Sequence, residues 1–119
     1  MANDFPVVIH HNPACGTSRS TLELIRQHGH EPAVVEYLKT GWARPELERL
    51  LARMGKRPRD ILRVRGTPAE ELGLLKAGVS DEALLAAMQQ HPILVERPIV
   101  ETPKGARLCR PSETVAEIL

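Results

Sequence analysis

The chain has 119 residues, 42% of them apolar and 26% charged, a length and balance that suit one compact domain spanning 1–119 and exclude a long disordered tail. Sixteen Lys and Arg against fifteen Asp and Glu leave a net charge of +1, so no overall positive field exists to hold the protein on nucleic acid or an acidic membrane. Phe5, Tyr37 and Trp42 are its entire aromatic content, too little for a base-stacking platform or a membrane-interface belt.

No apolar run reaches the ~20 residues that span a bilayer, and Met1-Ala2-Asn3-Asp4-Phe5-Pro6 lacks the basic and apolar regions of a secretory leader. Cys15 and Cys109 are too few for a secreted disulfide scaffold. The expectation is a cytoplasmic protein whose thiols stay reduced. Twelve of its sixteen cations are Arg, the group whose planar fork recognises carboxylates and oxyanions.

Val7, Val8 and Ile9, between Pro6 and the polar run His10 to Pro13, read as a buried strand entering a loop. From Gly16 the pattern becomes helical, with Thr21, Leu22, Leu24 and Ile25 on one face and Gly29 placed to close the helix. Val34 and Val35 begin a second buried strand, so 7–37 forms a βαβ unit with parallel strands. Leu47, Leu50, Leu51 and Met54 then recur at helical spacing between Pro45, at the first helical position, and Gly55. Further short helices are expected from Pro58 through Ile61 and Leu62, from Thr67 with a capping box completed by Glu70, and from Ser80 through Leu84, Leu85 and Met88 to Pro92. Three strand-like pieces follow, Ile93 to Val95, Pro98 to Val100 and Ala106 to Cys109, with a Pro103-Lys104-Gly105 turn before the last. A closing helix starts near Pro111 and carries Val115, Ile118 and Leu119. The order predicts an α/β fold in which helices flank a mixed sheet. This is the layout of a thioredoxin-like domain, with core segments at about 5–40 and 91–119 and a helical insertion at about 43–90.

The segment His11-Asn12-Pro13-Ala14-Cys15-Gly16-Thr17-Ser18-Arg19 places Cys15 between a strand end and a helix start. Unpaired helix N–H groups and the helix dipole favour negative charge there, which lowers a thiol pKa into the range where thiolate dominates at neutral pH. His11, and more remotely His10, can add a cation or a hydrogen-bond donor, while Gly16, Thr17 and Ser18 offer backbone and hydroxyl donors to an oxyanion. Cys15 and Ser18 form Cys-x-x-Ser, so no local redox disulfide closes and the cycle needs an outside thiol. A phosphatase-type loop would carry Arg six positions after its cysteine, where this chain has Thr21.

HNPACGTSR at 11–19, ELGL at 71–74, QHPILVERPIV at 90–100 and RLCRPSE at 107–113 resemble the glutaredoxin-coupled arsenate reductases over nearly the whole chain. The resemblance implies a thioredoxin-like fold, Cys15 as nucleophile, and His11 helping to keep it ionised. It also implies arsenate binding by Arg63, Arg97 and Arg110, and glutathione and glutaredoxin as reducing partners. Arg65, close to Arg63, is a candidate to join or replace it. Because thioredoxin-like folds set a cis proline beside the active loop and X–Pro bonds tolerate that geometry, the Arg97–Pro98 bond is expected to be cis, with Pro98 positioning Arg97. Cys109, in a strand-like context, reads as a small buried hydrophobe, and the histidines show no metal-ligand spacing. Two alternatives share the fold: a glutathione-dependent thiol-disulfide oxidoreductase, and an RNA polymerase-binding regulator similar to the Spx proteins. The latter typically carry Cys-x-x-Cys where this chain has Cys15 and Ser18.

Overall fold

The computed structural model describes residues 4–119; Met1, Ala2 and Asn3, which open the N-terminal stretch read above, lie outside them. The chain divides into two compact units, one made of the residues up to Thr40 together with Arg97–Leu119, the other of Gly41–Glu96.

In the first unit, strand β1 (Val8–His10) is followed by helix α1 (Gly16–Gln27), strand β2 (Ala33–Val35) and the single-turn helix α2 (Tyr37–Thr40). Strands β3 (Ile99–Thr102) and β4 (Gly105–Leu108) and a 3-10 helix at Ser112–Ile118 complete it. The sheet order is β2-β1-β3-β4. β1 runs parallel to β2, with Ile9 opposite Val34, and antiparallel to β3, with Ile9 opposite Val100. This is the mixed, helix-flanked, thioredoxin-like sheet that the element order predicts.

Local chemistry explains most of these boundaries. α1 ends in a Schellman motif: Gly29, at φ +86, donates its N–H to Arg26 O at 2.9 Å and His30 donates to Ile25 O at 3.2 Å, a backbone turn that glycine adopts without a Cβ clash. The β3–β4 hairpin turns at Pro103 and Lys104, pairing Thr102 with Gly105, and Thr102 Oγ1 accepts the Lys104 N–H at 3.1 Å. Val7, Ile9, Ile25, Val100, Cys109, Val115 and Ile118 form one buried cluster, with Phe5, Leu22, Leu24 and Leu119 packed at its margin. Two expectations need correction. β2 is an edge strand rather than a buried one, with Val34 41% exposed, because its outer side has no neighbour in the sheet. The closing helix is 3-10 throughout. The short helix α2 carries too few residues to show a period and was not anticipated.

In the second unit, helix α3 (Arg44–Met54) buries Leu47, Leu50 and Leu51 and stops at Gly55, which takes φ +66. It begins at Arg44, one residue before the expected start, so Pro45 occupies the second position rather than the first. Helix α4 (Asp81–Gln90) is capped by Ser80, whose hydroxyl accepts the Ala83 N–H at 3.1 Å, and it buries Leu84, Leu85 and Met88. Ion pairs Arg44–Glu82 and Arg57–Asp81, the latter at 3.2 Å, tie the start of α4 to earlier segments. The helix expected from Pro58 is a 3-10 turn ending at Ile61.

No helix forms at Thr67. Its hydroxyl accepts the Ala69 N–H at 3.3 Å, but Gly73 at φ +73 closes the segment after one turn, with Leu74 N–H bonded to Ala69 O at 3.0 Å. Nor is Ile93 to Val95 a strand. Pro92 opens a 3-10 turn over Pro92–Leu94, and only Val95 makes a bridge, antiparallel to Leu62. Among the described residues no helix is long and apolar enough to cross a membrane.

Candidate active site

The loop that leaves β1 is held by Asn12 at three points. Its side-chain Oδ1 accepts the Ala14 N–H at 3.0 Å, its carbonyl accepts the Cys15 N–H at 3.0 Å, and its own N–H donates to Ser18 Oγ at 3.1 Å. Cys15 is thereby seated as the N-cap of α1 in extended conformation, φ −95 and ψ 123. Its carbonyl accepts the Arg19 N–H at 3.0 Å, the first bond of the helix, which leaves the preceding N–H groups of Gly16, Thr17 and Ser18 without an intrahelical acceptor. The sulfur is half-buried.

Burial alone would push the Cys15 thiol up. The Ser18 backbone N–H outweighs it, together with Arg97, as hydrogen-bond donor and as charge, and Arg110 as donor, so that the pKa falls to about 7. Arg110 Nη1 lies 3.9 Å from Cys15 Sγ and 2.9 Å from the Arg97 carbonyl oxygen, so one guanidinium bridges the sulfur and the backbone at the head of β3. The Arg97–Pro98 bond is cis, as expected, and so is Arg110–Pro111; the Pro98 carbonyl accepts the Cys109 N–H at 2.9 Å. Arg97 Nε and Nη1 are buried without a hydrogen-bond acceptor.

His11 is buried, 6% exposed, and desolvation lowers its pKa, with Glu36 opposing and Arg19 and Arg26 adding to the effect, which disfavours the protonated ring. Its Nδ1 pairs with Ser18 Oγ at 2.7 Å. The Ser18 hydroxyl is therefore engaged inward with His11 and Asn12, and Ser18 meets the sulfur through its backbone N–H. Gly16 is exposed and Thr17 half-buried at the same helix start.

Arg63 belongs to the second unit. Its Nη1 pairs with Glu96 Oε1 at 2.9 Å, the two side chains being 16% and 25% exposed, and its Nε donates to the Arg65 carbonyl at 3.1 Å. Backbone bonds from Arg63 N–H to Leu94 O and from Glu96 N–H to Ile61 O, 2.7 and 2.8 Å, hold both residues on the Leu62–Val95 bridge. Arg65 is exposed. Cys109 is fully buried, and burial pushes its thiol up to about 12. Among the described residues no group of three His, Cys, Asp or Glu side chains converges as a metal site.

Asn12 and Glu96 are the residues that the sequence reading missed. Asn followed by Pro signals a side-chain-closed turn, so Asn12 was open to recognition. Glu96 carries no local signal, because its partner is 33 positions away.

A half-exposed cysteine thus stands at a helix start on a thioredoxin-like sheet, with the guanidiniums of Arg97 and Arg110 beside its sulfur. The chain belongs to the ArsC family, whose model matches residues 10–118. It is 58% identical over 113 residues to the arsenate reductase of Rhizobium meliloti (strain 1021), covering 95% of this chain and 81% of that one. Its identity to the arsenate reductase of Escherichia coli (strain K12) is 56% over 113 residues, covering 95% and 80% of the two chains. The solved structure of an arsenate reductase from Vibrio cholerae matches with a TM-score of 0.92 at 45% identity, covering 98% of this chain and 100% of that one.

Proposed function

We propose that this chain is an arsenate reductase of the cytoplasm, which uses Cys15 as nucleophile and takes its two electrons from glutathione and glutaredoxin. The observation that carries the reading is the state of Arg97. Two buried guanidinium nitrogens without an acceptor, Nε and Nη1, are costly in a folded protein, and beside a thiolate of pKa about 7 they are suited to a tetrahedral oxyanion. Arg110 adds a second donor, and the resemblance to the arsenate reductases assigns Arg63 as a third, with Arg65 as its competitor. Gly16, Thr17 and Ser18 contribute backbone N–H groups at the helix start, His11 holds Ser18 in place, and Pro98 positions Arg97. One family model spans both units, which supports treating 1–119 as a single domain with the insertion at about 43–90.

The chemistry follows from charge. Arsenate is largely dianionic at neutral pH, and a thiolate approaches it only where positive charge already waits. The Cys15 sulfur forms a bond to arsenic while one arsenate oxygen, having gained two protons, leaves as water. Glutathione adds its sulfur with loss of a second water, and arsenic is still As(V). Glutaredoxin thiolate then attacks the glutathione sulfur, the S–As electron pair passes to arsenic, and As(III) remains on Cys15 as a mixed disulfide departs. Hydrolysis of the last S–As bond releases arsenite and restores the thiol. The cycle needs outside thiols because Ser18 stands where a resolving cysteine would be, and Cys109 is sealed in the core.

A thiol-disulfide oxidoreductase would use the same thiolate but has no need of the unpaired donors of Arg97. The deciding experiment is a coupled assay containing arsenate, glutathione, glutaredoxin, glutathione reductase and NADPH. Arsenate-dependent NADPH oxidation is expected with the wild type and absent with Cys15→Ser. Disulfide exchange without any arsenate turnover would replace this reading with the oxidoreductase one.

A further inference from the structure

Asn12 is 5% exposed, and all but one of its polar groups are committed to the loop around it. Its N–H donates to Ser18 Oγ at 3.1 Å, its carbonyl accepts the Cys15 N–H at 3.0 Å, and Oδ1 accepts the Ala14 N–H at 3.0 Å. The exception is Nδ2, which donates to no group among the described residues. Because Oδ1 is held on an N–H donor, the amide cannot turn end for end without setting two donors against each other. The open edge of the side chain is therefore the donating one. Unlike Arg97 Nε and Nη1, Nδ2 is not sealed from solvent, so a nearly buried side chain opens at this nitrogen. Donors in such residues are satisfied in most folded proteins.

The turn decides what the nitrogen is near. The bond from Cys15 N–H to the Asn12 carbonyl closes a four-residue turn over Pro13 and Ala14, and a turn of that kind brings its first and last Cα within about 7 Å. Asn12 and Cys15 are thus neighbours in the loop. The groups that favour the charged sulfur are the Ser18 N–H, Arg97 and Arg110. The Asn12 amide is not one of them, which leaves Nδ2 for a group that comes to rest on the sulfur.

We infer that Asn12 is a further oxyanion-binding residue, its Nδ2 donating to an oxygen of the tetrahedral anion that the Cys15 loop receives. The inference rests on the arsenate reductase reading and adds a neutral donor to its anion site. A carboxamide held on one side by the loop is a preorganised donor, and it brings no second charge that has to be desolvated. Asn12 then has two separate jobs. Its backbone and Oδ1 shape the loop, and its Nδ2 binds. Serine or aspartate at this position could close the same turn, but neither presents a nitrogen donor at the outer edge.

The test measures how inorganic phosphate and arsenate protect Cys15 of the full chain from iodoacetamide, beside arsenate kinetics in the coupled assay. In the wild type both anions are expected to slow alkylation saturably. Asn12→Ser keeps a turn acceptor and adds no charge; protection should weaken about tenfold, the loss of one hydrogen bond to a charged group, while the pH midpoint of alkylation stays at the wild-type value. Asn12→Asp keeps every acceptor that the loop uses and replaces the open donor by a carboxylate oxygen. Its protection should weaken further, and its alkylation midpoint should move upward because negative charge now faces the thiolate. In turnover the KM for arsenate rises in both variants while the KM for glutathione stays at wild-type level. Unchanged protection in both variants would overturn the assignment, as would no protection of the wild type by either anion. A midpoint in Asn12→Ser that shifts as far as in Asn12→Asp would also overturn it, by showing that the amide only shapes the loop. Asn12-dependent protection by phosphate in a protein that never turns over arsenate would refute the arsenate reading and leave the role of Asn12 standing.

Discussion

Arg110 Nη1 and Cys15 Sγ lie 3.9 Å apart across 95 positions of sequence, and the same nitrogen donates to the Arg97 carbonyl at 2.9 Å. The guanidinium is thus tethered to the backbone while it faces the sulfur, so it supplies charge without having to be recruited by substrate. Such preorganisation lets positive charge act on a developing anion with little reorganisation at the moment of reaction.

The pH dependence of Cys15 follows from this arrangement. With the thiol pKa lowered to about 7, thiolate is the major form above that value and is lost as pH falls through it. The alkylation rate with iodoacetamide should therefore rise through a midpoint near 7 and level off above it. Arg110→Ala removes one donor that favours the charged form, so the midpoint moves upward, toward the ordinary thiol value.

The role proposed for Arg97 sets function against stability. Its buried Nε and Nη1 lack acceptors, and removing unsatisfied polar groups can raise stability while removing oxyanion contacts lowers rate. Arg97→Met is expected to lower kcat/KM for arsenate by about a hundredfold or more. In the same variant the midpoint of thermal unfolding is expected to hold or rise. A parallel loss of both would show that Arg97 serves the fold.

Ser18 is fully buried and satisfies both the Asn12 N–H and His11 Nδ1. Ser18→Ala strands those two groups and should cost about 1–3 kcal/mol in urea unfolding. The backbone N–H that faces the sulfur survives this change. The alkylation midpoint of Cys15 is accordingly expected to move less than in Arg110→Ala.

His11 contributes a separate pH dependence. Burial depresses its pKa below 6.5, so below that pH the unfolded chain takes up a proton that the folded chain refuses. Stability is fully present above pH 6.5 and declines as pH falls toward the folded-state value. Measured unfolding free energy should show this decline, and His11→Asn, which keeps a polar atom near Nδ1 but cannot titrate, should flatten it.

Cys109, buried and with its thiol pushed up to about 12, is expected to be unreactive in the native protein. Thiol titration at pH 8 should count one fast-reacting group before denaturation and two after it, and Cys109→Ser should retain arsenate turnover.

Where a feature is set by neighbours in the chain, it was legible in the sequence. The strand, loop and helix that put Cys15 at a helix start, the Gly29 and Gly55 stops, the Ser80 cap and the Pro103–Lys104 turn all depend on residues within a few positions of one another. Local rules overreached where a longer segment had to decide. The capping pattern at Thr67 initiates a turn that Gly73 ends, and the apolar run Ile93 to Val95 follows a proline that starts a 3-10 turn. The edge position of β2 depends on which strands fill the sheet.

By itself, then, the sequence determined that one cysteine would stand at the positive end of a helix, because helix polarity and capping are local properties of the backbone. Tertiary structure alone decided that Arg97 and Arg110 meet that cysteine, that the Ser18 hydroxyl turns inward to a buried His11, and that Arg63 pairs with Glu96. Those relationships join residues remote in the chain, or depend on burial. Neither periodicity nor composition encodes which distant groups will share a low-dielectric pocket, and in such a pocket charge and hydrogen bonding set a pKa.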